Sequence, residues 1–141
     1  MNGKFFLDTN IFVYEFDLRE PVKTERASNL VRNAIASRRG VVSYQVVQEF
    51  FNLAFRRFAK PLPAAEAEQY LLSVFRPLLA VHSSPRLFLG ALRIKETHRL
   101  SWYDSLIAAA ALQADCTRLY TEDMPHGLRI EGLQIENPFR N

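Results

Sequence analysis

Short apolar runs alternate with longer stretches of helical periodicity along nearly the whole chain, and that alternation limits the fold more than any other feature. KFFL at 4–7, GVVS at 40–43, LLAVHS at 78–83 and RLYT at 118–121 read as strands. Helical patterns fill the gaps at 11–16, 21–37, 44–58, 64–76, 85–98 and 101–114. The segment 21–37 opens on Pro21, carries a stripe of Leu30, Val31, Ala34 and Ile35, and has Gly40 beyond its end. KPLP, with Pro61 and Pro63, stops one helix and starts the next. SWYDSLIAAAALQA is apolar nearly all round and is expected to be buried. Near the end, Leu128 and Ile130 alternate across Glu131–Gly132 with Leu133 and Ile135, which predicts a final strand or small hairpin. Strands alternating with helices mean βαβ units and a mainly parallel sheet of four to five strands, covered on both faces.

A chain of 141 residues, 48% hydrophobic and 23% charged, is expected to form one ordered domain over 1–141. No apolar run approaches the ~20 residues needed to cross a bilayer. MNGKFFLDTN lacks the tripartite pattern of a signal peptide. The expected location is cytoplasmic. Cys116 is the single cysteine, so it forms no internal disulfide and reads as a small core residue. The net charge of +3 is compatible with a polyanionic partner. Basic residues gather at Arg38–Arg39, at Arg56, Arg57 and Lys60, and at Arg93, Lys95 and Arg99. Each group also reads as an ordinary solvated helix face.

In open parallel sheets, ligands bind beyond the carboxyl ends of the strands, so polar residues there matter most. Asp8 closes the first strand, and Asp123 follows the fourth in TEDMPHG. Asp104 stands in the first turn of the apolar helix, and Glu49 lies on the polar side of the 44–58 helix with Gln45, Gln48, Asn52 and Arg56. Each acid has a plain structural reading. Asp8 caps a helix, Glu49 faces solvent, Ser101-x-x-Asp104 forms a variant capping box, and Asp123 belongs to a turn. A parallel sheet nevertheless carries all four towards one cleft. Four anions there repel each other and lose hydration, so some of their pKa values are expected to rise unless a cation is present.

A hard divalent ion answers that problem. Mg²⁺ or Mn²⁺ takes oxygen ligands and is held by one or two carboxylates, waters and substrate phosphate. His82, His98 and His126 are scattered, so a zinc site is not expected. Such an ion suits phosphodiester hydrolysis, with the basic clusters holding a nucleic-acid backbone. Thr9, Asn10, Ser105 and Thr121 are the candidate orienters of the acids, with capping and turn bonding as their structural alternative.

FLDTNIFVYEFD, VVSYQVVQEFFN, WYDSLIAAAAL and LYTEDMPHG, in this order, resemble the four acidic motifs of PIN-domain ribonucleases, in particular VapC-type toxins of bacterial toxin–antitoxin pairs. The likeness runs on to ENPF at 136–139 and covers essentially the whole chain. It implies a three-layer α/β/α fold and Mg²⁺- or Mn²⁺-dependent endonucleolytic cleavage of RNA, with transfer or ribosomal RNA as substrate. It places the metal-holding catalytic acids at Asp8, Glu49, Asp104 and Asp123, with Glu122 a second carboxylate at the last position. A homodimer and a small antitoxin protein are implied as partners. Phe50, Phe51, Phe55, Phe58, Tyr70, Leu71 and Phe75 are candidates for both contacts, beside their role as core.

Two other classes compete. One is a non-catalytic RNA- or protein-binding module on the same fold, in which every acid is a cap or turn residue. The other is a phosphatase of the haloacid-dehalogenase type, which also places an Asp after its first strand. Those enzymes need a second Asp two residues on, where this chain has Asn10.

Overall fold

The computed structural model describes residues 3–140. Strand β1 (Lys4–Leu7) leads directly into the short helix α1 (Thr9–Tyr14), and α2 (Pro21–Ser37) returns the chain to β2 (Gly40–Ser43). Helix α3 (Tyr44–Arg56) follows, then α4 (Ala64–Tyr70), a π-helical turn at Leu71–Phe75, α5 (Arg76–Leu78) and β3 (Leu79–Val81). Helices α6 (Pro85–His98) and α7 (Trp102–Gln113) precede β4 (Cys116–Tyr120), β5 (Arg129–Ile130) and β6 (Leu133–Glu136).

The sheet has the order β3-β2-β1-β4-β6-β5 and is parallel except at β5. It holds six strands, rather than the four to five expected, because the alternating pattern at 128–135 makes two of them. Ile130 pairs with Leu133 in an antiparallel hairpin, and β6 then lies parallel to β4. Helix α2 packs against β2, while α7 lies on β4, β2 and β6 with α6 against it. This is a three-layer α/β/α domain. Among the described residues, no helix is long and apolar enough to cross a membrane.

Close contact fixes the α2 layer. A Cβ on Gly40 would stand 2.8 Å from the Cα of Ala34, so the backbone of β2 meets α2 directly. The aromatic stripe is largely core. Phe50 and Phe75 are fully buried, and Tyr70 stacks on Phe50 with ring centroids 5.0 Å apart. Phe55, Leu71 and Leu72 of that region remain exposed.

The helix expected at 64–76 instead runs to Leu78 through a π-helical turn. The amide of Arg76 bonds to the carbonyl of Leu71, five residues back, rather than four. Pro77 comes next and has no N–H to continue the regular ladder. Cys116 is buried in β4, and desolvation pushes its thiol up to about 12, as befits a core residue.

Candidate active site

Successive crossovers β1–β2–β3 run one way from the central strand, and β4 then pairs on the other side of β1. The carboxyl ends of β1 and β4 therefore form the topological switch point, where such sheets open a crevice. Asp8 follows the last residue of β1, and Thr121 follows the last residue of β4. Since Leu7 pairs with Tyr120, Asp8 and Thr121 continue the same register.

Buried polar groups concentrate at this edge. Asp8, Thr9, Ser43, Gln45, Ser105 and Thr121 are the buried polar side chains among the described residues, each at most 6% exposed. They sit at the ends of β1, β2 and β4 and in the first turns of α1, α3 and α7. The hydroxyls of Thr9, Ser43 and Ser105 have no hydrogen-bond partner among the described residues, although buried hydroxyls ordinarily find one.

Asp8 is held on both oxygens. The Thr9 amide donates to Oδ1 at 2.7 Å, and the Thr121 hydroxyl donates to Oδ2 at 2.8 Å. Its carboxylate thus caps α1 and also stands at the switch point. Burial raises its pKa from 3.8 to about 7. The two hydrogen bonds oppose that rise, and the charges of Asp123 and Glu49 add to it.

The other acids answer to one another. Glu49 lies raised above the ordinary carboxylate range, first by desolvation and then by the charges of Asp123 and Asp104, against a lowering bond from Gln45. Asp123 is raised by desolvation, then by Asp104 and Glu122. Four acids distant in sequence therefore share one electrostatic neighbourhood. Asp104 is half-buried, while Glu49 and Asp123 are exposed at its rim.

Asn10 points its amide at both oxygens of Asp123, each at 3.3 Å. The Asp123 amide in turn donates to the Thr121 hydroxyl at 3.1 Å. Ser101, rather than Ser105, caps α7, accepting from the Asp104 amide at 3.1 Å. Thr9 supports Asp8 through its backbone and not its hydroxyl. Glu122 turns away from the other acids to Lys23 and Tyr14.

Gln45 departs from the expected solvent-facing side of α3. It is buried, and its amide donates to Glu49 at 2.9 Å and to the carbonyl of Tyr103 at 3.4 Å. The first turn of α3 abuts the start of α7, which closes that side from water. The i,i+4 spacing of Gln45 and Glu49 is the sequence signal for this pair.

The donor set suits a hard cation in its chemistry: acidic oxygens with raised pKa values, amide and hydroxyl supports, and buried hydroxyls without partners. Among the described residues, however, no three His, Cys, Asp or Glu side chains stand close enough to form a ready ligand group. Mg²⁺ ordinarily uses one or two direct carboxylates and completes its shell with water and phosphate.

An α/β/α domain with acidic side chains gathered at its switch point is the class these features define. The chain belongs to the PIN domain family, whose model matches residues 5–124. Its fold is shared with a toxin–antitoxin complex from Klebsiella pneumoniae, at a TM-score of 0.66 and 17% identity over 96% of this chain and 98% of that one. A promoter-DNA-bound VapBC complex from Rickettsia felis aligns at a TM-score of 0.58 and 21% identity over 94% and 97% of the two chains. A VapC toxin from Mycobacterium tuberculosis that cleaves the sarcin–ricin loop gives a TM-score of 0.59 and 22% identity over 85% and 90%. No curated protein matches the chain.

Proposed function

We propose that this chain is a metal-dependent endoribonuclease that acts as the toxin of a toxin–antitoxin pair. One observation carries the reading: the buried polar side chains of the described residues gather at the sheet edge where four acids raise or feel one another's charge. A fold does not need a buried carboxylate such as Asp8 there, and desolvating it beside other acids is unfavourable without a compensating cation.

Asp8, Glu49, Asp104 and Asp123 would hold Mg²⁺ or Mn²⁺. Such an ion, when bound, lowers the pKa of water towards neutrality and offsets charge at a scissile phosphate. The chain's own residues do the rest. Thr121 and the Thr9 amide fix the rotamer of Asp8, Gln45 sets Glu49, and Asn10 orients Asp123. Arg56, Arg57 and Lys60, and Arg93, Lys95 and Arg99, are exposed and offer contacts for an RNA backbone.

The toxin role rests on the family and on solved relatives that are toxin–antitoxin complexes. A small antitoxin and a second copy of this chain are the proposed partners, with Phe55, Leu71 and Leu72 as exposed apolar contacts. Purified protein is expected to cut RNA internally in Mg²⁺ or Mn²⁺, and to stop in EDTA. Equal cleavage by Asp8→Asn would overturn the assignment.

A further inference from the structure

Glu122 and Asp123 are adjacent, yet their carboxylates are sent to different partners by one helix. Asn10 and Tyr14 stand four apart on α1 and so share a face. Asn10 takes Asp123, as described. The Tyr14 hydroxyl donates to Glu122 Oε1 at 2.5 Å. Lys23, from α2, then closes the figure: its Nζ lies 2.6 Å from Glu122 Oε2 and 3.1 Å from the Tyr14 hydroxyl. The same ammonium sits 4.8 Å from the centre of the Tyr14 ring and 5.6 Å from that of Phe139, and the two rings meet edge-on at 4.8 Å.

This is more than a surface ion pair. The Lys23 and Glu122 side chains are only 30% and 24% exposed, and both oxygens of Glu122 are engaged. Partly covered, multiply bonded pairs of this kind are more specific in geometry than singly bonded surface pairs. They also act on a segment with little regular structure of its own, since 121–128 lies between β4 and β5.

We propose that Lys23, Tyr14 and Glu122 form a positioning triangle for the RNA-cleaving crevice, pinning the segment 121–123 so that Asp123 faces Asn10 and the other acids. The inference rests on the reading of Asp123 as a site acid. None of the three touches the substrate. Glu122 is thereby the structural member of the acidic pair and Asp123 the functional one.

Two measurements on Lys23→Met and Glu122→Gln test this. The first is hydrogen exchange of the Asp123 amide in metal-free protein, with the β4 residue Leu119 as control. Both variants are expected to speed exchange at Asp123 by on the order of 10-fold, with Leu119 unchanged, because the Asp123 amide depends on the clamped geometry. The second is calorimetric binding of Mn²⁺ without RNA, expected to weaken by about 10-fold or more, as for other residues that orient ligands. Wild-type exchange rates at Asp123 in both variants would overturn the triangle. Faster exchange with unchanged Mn²⁺ binding would overturn its positioning role and leave only a structural one. A wild-type protein that binds no Mn²⁺ overturns the ribonuclease reading instead, and exchange at Asp123 then decides the triangle by itself.

Discussion

The Thr121 hydroxyl donates to Asp8 Oδ2 at 2.8 Å and accepts from the Asp123 amide at 3.1 Å, so one buried group ties two of the proposed site acids together. Thr121→Val keeps the shape and removes both bonds. It leaves a buried carboxylate oxygen short of a donor and an amide short of an acceptor. A loss of about 1–3 kcal/mol in denaturant unfolding is expected, with Thr121→Ser restoring most of it. RNA cleavage is expected to fall by roughly 10- to 100-fold in the valine variant.

Stability without divalent ions should depend on pH through Asp8. Its folded pKa of about 7 lies above the ordinary 3.8. Between those values the folded protein keeps a proton that the unfolded chain has lost. The contribution is therefore fully present below about pH 4, falls as pH rises, and is lost above about pH 7. Asp8→Asn removes this dependence. The variant is expected to gain on wild type by a few kcal/mol across that window in EDTA. A gain that shrinks with rising pH would contradict the assignment.

Asp104 separates capping from chemistry. Ser101 caps α7 by accepting from the Asp104 backbone, which Asp104→Asn leaves intact. That variant should shift unfolding by less than about 0.5 kcal/mol, while Ser101→Ala is expected to lose about 1 kcal/mol. Cleavage should nevertheless vanish in Asp104→Asn and survive in Ser101→Ala.

Gly40 is a packing prediction independent of the site. A Cβ there runs into Ala34, both its side chain and its backbone. Gly40→Ala is expected to destabilise by about 1–3 kcal/mol in thermal or denaturant unfolding.

Local chemistry made much of this legible. Pro21 and the 30–35 stripe mark α2, GVVS marks β2, and Pro85 marks the start of α6, all where they stand. Asp8 was readable as a strand-terminal acid because β1 is too apolar to be anything but central. Two features that the sequence hides share a cause, since each depends on a partner far off in sequence. Gln45 looks solvated until the start of α7 covers it. The split between Glu122 and Asp123 needs Lys23 and Tyr14, about 100 residues earlier. The π-helical turn is a local feature just before Pro77, and a one-residue change of hydrogen-bond register has no periodic signature.

Cleavage of a defined RNA by purified wild type beside Asp8→Asn and Asp104→Asn, with Mn²⁺ and then with EDTA, bears on the metal and on two of the four acids at once. Internal cuts by wild type only, abolished by chelation and by either substitution while both variants stay folded, are the predicted result. Cleavage that persists in EDTA or in either variant, or RNA binding with no cleavage at all, would contradict a metal-dependent ribonuclease at this crevice.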